Sequence, residues 1–154
     1  MQNIKIMMIK KTKKVVKKKK KLVSMSLLEK KLDKVFSIYS RLKDADEGGT
    51  VTCVTCNVLK HWKDVDAGHF IKRQYRSVRW NDMNVHPQCF RCNHFMGGRQ
   101  DDYANFIIKT YGQESFNLLM ASKYQIVKHT RSDLEEMIEE YSQKVKGMEE
   151  RWNI

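Results

Sequence analysis

The 154-residue sequence predicts an α+β fold, mostly helical, with a small ββα core that is stapled together by cysteines. Three observations predict it. The chain's four cysteines form two CxxC pairs, Cys53–Cys56 and Cys89–Cys92. Short β-like runs lie between the pairs, and the flanking segments carry apolar residues at helical spacing. We divide the chain into a basic flexible arm (1–23), an N-terminal helix (24–49), the stapled core (50–99) and a C-terminal helical region (100–154).

The cysteine spacing predicts a structural zinc ion. A CxxC turn directs two thiolates at one point, so that Cys53, Cys56, Cys89 and Cys92 together would complete a tetrahedral site. The alternatives are two disulfides or four free thiols. Nothing in the sequence resembles a secretory signal, and a reducing cytosol disfavours disulfides. We therefore expect a cytoplasmic protein without a membrane span or a membrane partner.

The positive charge is concentrated in two segments. The formal net charge is +12, and residues 1–21 contribute ten lysines and no acid. Residues 53–99 hold eight basic and three acidic residues (+5), whereas residues 100–154 hold seven and ten (−3). This division favours a nucleic-acid partner for the arm, through Lys17, Lys18, Lys19 and Lys20, and for the core. A solvated tail is the alternative for the arm, and a membrane-surface role is a smaller one.

Helices are predicted on both sides of the core. Ser26 and Glu29 form a capping-box pattern at the start of a helix that Gly48-Gly49 would end. Beyond the core, helices are predicted over Asp101–Tyr111, Glu114–Ser122 and from Ser132 to about Arg151. The last helix has a heptad-like apolar seam. This seam either packs on its own domain or forms a homodimer through residues 132–152.

Within the core, the sequence predicts a strand at Thr50–Thr52, a loop over 57–63 and a strand over Val65–Lys72. An irregular segment follows, and then a helix that carries Cys92 and Asn93. Such a ββα unit is too small for a hydrophobic core of its own. Zinc would have to supply the missing stability.

The order of motifs resembles a known family. Cys53-Val-Thr-Cys56, Val65-Asp66-Ala67-Gly68-His69-Phe70 and Asn84-Val85-His86-Pro87-Gln88-Cys89-Phe90-Arg91-Cys92-Asn93 resemble HNH (His-Me finger) nucleases with a zinc staple. They are more closely similar to the phage NinG/Rap recombination endonucleases, over about residues 50–150. The resemblance implies an HNH-like core and a metal-dependent endonuclease acting on branched DNA of the Holliday-junction or D-loop type.

The candidate catalytic residues lie between the cysteine pairs. Phosphodiester cleavage needs a base and a cation, and His69 is the natural base because its ordinary pKa is near neutrality. Asp66 and Asn93 could offer oxygen ligands to Mg²⁺ or Mn²⁺. The resemblance implies His69 as the base, Asn93 as a metal ligand or orienting group, and Asn84 as the residue that orients the catalytic loop.

One position departs from the family pattern. Many HNH enzymes have Asp or His directly before the base, where this chain has Gly68. Either Asp66 reaches the ion differently, or His94 or His86 serves instead. The plainer alternatives are a packed His69, an Asp66 that caps a turn and an Asn93 that caps a helix.

Basic residues with interleaved aromatics favour phosphate contact around this site. The predicted contacts are Lys72, Arg73, Arg76, Arg79, Arg91 and Arg99. A second class of function stays open at this point, a zinc-ribbon nucleic-acid-binding module without catalysis. That module would need the cysteines and lysines but not His69.

Overall fold

A computed structural model describes residues 22–152 of the chain. The elements in order are helix α1 (Met25–Leu42), strands β1 (Thr50–Thr52) and β2 (Leu59–His61), a 3₁₀ turn (Trp62–Asp64), strands β3 (Val65–His69) and β4 (Val85–Cys89), a π-helical turn (Arg91–Phe95), and helices α2 (Gln100–Tyr111), α3 (Gln113–Ser122) and α4 (Arg131–Trp152). The prediction of a mostly helical α+β protein is confirmed. The predicted arm over 1–23, with Lys17 to Lys20, lies almost wholly outside the described residues.

The strands form two antiparallel hairpins. In the first, Val51 of β1 lies opposite Lys60 of β2. In the second, β3 and β4 are in register from the Val65–Cys89 pair to the His69–Val85 pair. The π-helical turn follows β4 almost at once. The prediction of a loop over 57–63 is therefore wrong, since β2 and the 3₁₀ turn lie there, and β4 was not predicted at all.

The hairpins share their buried side chains with the helices. Val51, Val65 and Val85 belong to one apolar cluster with Phe36 of α1 and Ile138 of α4. A second cluster joins the segment after β3 to α2 and α3; it consists of Phe70, Ile71, Val78, Tyr103, Ile107 and Leu119. The expectation that residues 50–99 lack a hydrophobic core thus differs from the structure, because the helices on either side complete one.

Two helix starts differ from the predicted capping boxes by two residues. Ser24, rather than Ser26, caps α1, because its hydroxyl accepts a hydrogen bond from the Leu27 amide at 3.3 Å. At α4, the Asp133 amide donates to the Thr130 hydroxyl at 3.2 Å, and the Asp133 carboxylate accepts from the Thr130 amide at 2.7 Å. This reciprocal pair is a capping box in which Asp takes the place of Glu.

The apolar seam of α4 packs on α1 of the same chain. Leu134, Ile138, Tyr141 and Val145 are buried there. Tyr141 meets Phe36 edge-on, with ring centroids 4.8 Å apart. Packing within the domain is therefore confirmed for this seam. A homodimer through residues 132–152 stays an untested prediction, and the seam no longer supports it.

No helix within residues 22–152 combines the length and the apolar character that a membrane crossing requires.

Candidate active site and metal centre

The four cysteines meet at the end of the β3–β4 hairpin where β4 finishes. Their Sγ atoms all lie within 4.8 Å of one another. Cys53 follows β1, Cys89 ends β4 and Cys92 lies in the π-helical turn. Four converging sulfur donors, three of them buried, fit a tetrahedral metal ion such as zinc. The structure thus brings together the predicted tetrad.

The Cys53 sulfur accepts hydrogen bonds that favour its thiolate. Burial raises the pKa of this thiol, but the Thr55 hydroxyl and the Cys89 amide act in the other direction. They approach the sulfur at 3.4 and 3.3 Å. The balance lowers the pKa of Cys53 to about 6. Because the thiolate is the form that binds metal, this polarity suits a metal ligand.

A cleft of about 170 Å³ opens elsewhere on the same hairpin. Helix α1, strand β3, the segment before β4 and the π-helical turn all contribute to its wall. Its lining consists of Asp33, Phe36, Ser37, Asp66, Ala67, His69, Arg73, Trp80, Asn93 and His94. Four of the predicted site residues (His69, Asp66, Asn93 and His94) therefore share one cleft.

His69 has a main-chain carbonyl oxygen near each of its ring nitrogens. Its Nε2 atom lies 3.0 Å from the carbonyl oxygen of Arg79, and its Nδ1 atom lies 3.2 Å from that of Ala67. A neutral imidazole carries a proton on one nitrogen only. When Nε2 donates its proton to the closer carbonyl, that of Arg79, Nδ1 is left as the acceptor.

The surroundings of His69 favour its neutral form. Burial is the largest cause that lowers the pKa of His69, and the positive charge of Arg73 lowers it further. The two carbonyl groups and Asp33 partly oppose this effect. The net pKa is below the ordinary value of 6.5, so that the ring is neutral at pH 7 and able to accept a proton.

Asp66, Asn93 and His94 form one polar cluster. The Asp66 Oδ2 atom accepts a hydrogen bond from Asn93 Nδ2 at 3.1 Å and lies 3.0 Å from His94 Nε2. The side chain of Asp66 is 37% exposed and that of His94 is 50% exposed. A half-open carboxylate beside an amide and an imidazole can take up a divalent cation such as Mg²⁺ or Mn²⁺. Asp66 therefore reaches the helix residues across the cleft, although Gly68 occupies the position before His69.

Gly68 is required by the packing of Gln88. A Cβ atom at position 68 would lie 2.3 Å from Gln88 Oε1. The Gln88 side chain is fully buried, and its Nε2 atom donates to the Gly98 carbonyl at 2.9 Å and to the Thr55 hydroxyl at 3.2 Å. The side chain of an Asp or His residue has no space before His69 in this structure.

Asn84 lies outside the cleft and supports the loop beneath it. Its buried side chain accepts from the Ile71 amide at 2.7 Å and donates to the carbonyls of Ile71 at 2.9 Å and Val78 at 2.8 Å. These three bonds close the segment between β3 and β4 that carries Arg79. Asn84 thus holds the loop that carries the Arg79 carbonyl, and the orienting role that the resemblance implied stays a prediction.

His86 is not a candidate ligand or base. It lies opposite Gly68 in the hairpin and is 1% exposed. Its ring nitrogens lie 3.1 Å from Asp44 Oδ2 and 3.2 Å from the Tyr111 hydroxyl. His86 is also absent from the lining of the cleft that holds His69 and Asp66. The alternative that placed His86 at the ion is therefore wrong.

The six basic residues predicted to contact phosphate fall into two groups. Arg76 pairs with Glu29, Arg79 with Asp33, and Arg99 with Asp102. These guanidinium groups form ion pairs inside the chain, and their contact with phosphate stays a prediction. Lys72, Arg73 and Arg91 are exposed, and none of them forms a salt bridge within residues 22–152.

Asp33 and Trp80 are site residues that the sequence reasoning missed. Asp33 accepts hydrogen bonds from Arg79 Nε at 3.0 Å and from Trp80 Nε1 at 2.9 Å. Asp33 lies on α1, far from the cysteine motifs in sequence, and its position on a predicted packing helix gave no signal of its role.

Comparison with known proteins identifies the family of this chain. The model of the family described as "Bacteriophage Lambda NinG protein" matches residues 3–151. The chain belongs to the NinG family. It is 27% identical over 122 residues to Protein ninG of Escherichia phage lambda, a match that covers 77% of this chain and 56% of the relative. The chain thus spans little more than half the length of that relative. No solved structure matches it.

Proposed function

We propose that this NinG family protein is a metal-dependent DNA endonuclease that acts on branched recombination intermediates of the Holliday-junction or D-loop type. One observation carries the proposal. A neutral His69, with one ring nitrogen held by a carbonyl group, shares a cleft with Asp66, Asn93 and His94. The similarity to HNH nucleases in motif order supports the same reading, and the branched substrate rests on that similarity alone.

His69 acts as the general base in this proposal. Its Nε2–H donates to the Arg79 carbonyl, and Nδ1 takes a proton from the attacking water. The imidazolium that results has a carbonyl oxygen near each nitrogen, at 3.0 and 3.2 Å. Both oxygens stabilise the positive charge that the ring acquires, so this electrostatic stabilisation increases as the proton is transferred.

Asp66, Asn93 and His94 would hold Mg²⁺ or Mn²⁺. When bound, such an ion supplies electrostatic stabilisation of the charge that develops on the phosphate. Arg73, which is exposed and lines the cleft, attracts the phosphate to the same place. Asn84 keeps the loop that carries the Arg79 carbonyl in position.

DNA contacts beyond the cleft come from residues without a partner inside the described chain. Lys72 and Arg91 belong to this group, and the lysines of the N-terminal arm would add positive charge. Deletion of residues 1–21 should weaken DNA binding and reduce its dependence on salt, because fewer counterions are released. An unchanged salt dependence would show that the arm does not touch phosphates.

His69→Ala tests the catalytic role. Cleavage of forked and four-way DNA in Mg²⁺ should fall by about 10²–10⁴-fold, while DNA binding and zinc content stay unchanged. His61→Ala is the matched control, because His61 lies on β2 and is absent from the cleft lining. Undiminished cleavage by His69→Ala would place the base elsewhere. Absence of cleavage by the wild type on every DNA and with both Mg²⁺ and Mn²⁺ would favour a zinc-ribbon binding module.

A further inference from the structure

An exposed aromatic surface borders both the cysteine tetrad and the cleft. Phe90 is 57% exposed, Phe95 75% and Met96 50%. Phe90 and Phe95 meet edge-on with ring centroids 5.5 Å apart. We call Phe90, Phe95 and Met96 the aromatic edge. Exposed apolar side chains that cluster in this way mark a binding surface more often than scattered ones do.

The aromatic edge is continuous with the candidate site. Phe90 stacks on His94, with ring centroids 4.3 Å apart and the ring planes inclined by 30°. His94 in turn contacts the cleft residue Asp66, with its Nε2 atom 3.0 Å from Asp66 Oδ2. A group that stacks on the aromatic edge is therefore one imidazole ring away from the cleft.

Basic side chains flank the same edge. Phe90 lines a groove of about 470 Å³ together with Lys60 and Arg91, and Asp64 is the acidic residue in that lining. Lys60 and Arg91 form no salt bridge within residues 22–152. Flat exposed rings with cations beside them are the combination that binds unpaired nucleobases, whose faces stack on the rings while the phosphates meet the cations.

We propose that the aromatic edge stacks on unpaired bases of a DNA strand that enters the cleft. The inference rests on the proposed function and gives it a substrate class, DNA in which bases are unstacked beside the scissile phosphate. A duplex keeps its bases stacked inside, where Phe90 and Phe95 cannot reach them. A branch point or a single strand exposes them.

A second copy of the chain fits this edge less well. In a two-fold interface each surface meets itself, so that the Arg91 and Lys60 cations of two copies would be brought close together. Like charges at such short range are unfavourable. Phosphates offer the opposite charge, which favours DNA as the occupant.

Phe95→Leu and Phe90→Leu test the inference, because leucine keeps the apolar character and removes the ring. Binding to a single-stranded oligonucleotide is measured by fluorescence anisotropy without added divalent cations, beside binding to the duplex of the same sequence. Each variant should weaken single-strand binding by about tenfold and leave duplex binding unchanged. Phe95→Tyr should restore it. Leu118→Ala, at an exposed apolar position on α3, is the control.

Each result has a defined meaning. Single-strand binding that is equal in wild type and in both leucine variants would overturn the inference. Alternatively, the wild type could be a dimer that the leucine variants retain and that alanine variants at Phe90 and Phe95 lose. This result would assign the aromatic edge to a protein interface and would also overturn the inference. Cleavage in Mg²⁺ is measured separately, so that a protein that binds through these rings without cutting would contradict the proposed function alone.

Discussion

The cysteine tetrad and the cleft, which both lie at the β3–β4 hairpin, differ in the burial and the partners of their polar atoms. The cysteine tetrad is largely buried, and its sulfurs converge on one another and on main-chain amide groups. The cleft is open: His69 lies beside the Arg79 carbonyl, and the Asp66 carboxylate accepts a hydrogen bond from Asn93 and lies 3.0 Å from His94 Nε2. Closed thiolate sites stabilise a fold, whereas catalytic sites keep an open position. Under the proposed function, the tetrad contributes stability and the cleft carries the chemistry.

The π-helical turn joins the two regions residue by residue. Cys92 turns toward the tetrad, and the next two residues, Asn93 and His94, contact Asp66 at the cleft. A metal ion bound by the tetrad would therefore fix the position of the cleft residues. This connection predicts that damage at the tetrad reaches the cleft, and that damage at the cleft spares the tetrad.

The largest effect is expected from Cys53→Ser. Loss of one ligand should release zinc and lower the free energy of unfolding by more than ~4 kcal/mol, because metal binding contributes directly to folding. Zinc content by mass spectrometry and a thermal melt measure this loss. His94→Ala should keep both zinc and the melting temperature. A Cys53→Ser protein with unchanged metal content would contradict the assignment of the tetrad.

Two asparagines provide the next comparison. Asn84→Ala should lower the free energy of unfolding by about 3 kcal/mol, because it leaves the buried Ile71 amide and carbonyl without partners and removes one donor from the Val78 carbonyl. Asn93→Ala should change stability by less than ~1 kcal/mol and raise the Mg²⁺ concentration that cleavage requires. Denaturant melts and metal titrations distinguish the two. Equal stability losses would contradict the division between support and cleft.

Arg79 and Arg73 should differ in the same way, one in stability and the other in function, with smaller effects. Arg79→Ala should cost about 1–2 kcal/mol of stability, because Asp33 loses a bidentate partner in a partly buried setting. Arg73→Ala should change stability by under ~0.5 kcal/mol and weaken DNA binding. Melts and binding curves on the same preparations check both expectations. If Arg79→Ala bound DNA more weakly at unchanged stability, Arg79 would be a phosphate contact after all.

The smallest expected effect is a shift of the pH profile. A general base must be neutral, so cleavage falls as the pH drops through the pKa of His69. Arg73 lowers that pKa, and Arg73→Gln should therefore raise it and move the acid limb of the profile to higher pH. Lys72→Gln is the control, since Lys72 does not line the cleft. An acid limb that moves the other way would contradict His69 as the titrating base.

The sequence predicted those residues of the site that lie in recognisable motifs and missed the elements that support them. CxxC spacing located the tetrad, and the strand carrying Asp66 and His69 was found near its observed position. Strand β4 was missed, because Pro87 lies in the middle of Val85–Cys89 and a proline within a run argues against a strand. Asp33 was missed because a helix-borne carboxylate acquires its role only through tertiary contacts with Arg79 and Trp80.

Charge counting did not reveal the ion pairs within the chain for a related reason. Arg76 and Arg79 were counted as free cations, but their carboxylate partners, Glu29 and Asp33, lie more than forty residues earlier in the chain. Local composition does not reveal such pairs. The exposed residues Lys72, Arg73 and Arg91 are those for which composition and structure agree.

The orientation of His69 depends on atoms that every amino acid possesses. Its ring is held by the main-chain carbonyl of Arg79, the carbonyl of Ala67 lies 3.2 Å from Nδ1, and no side-chain replacement deletes either group. In a saturation mutagenesis screen for cleavage, substitutions at position 67 should therefore act mainly through how well the new side chain packs. Substitutions at position 79 should act mainly by lowering the abundance of the protein. The orienting groups themselves would leave no signature in the amino-acid preferences of either position.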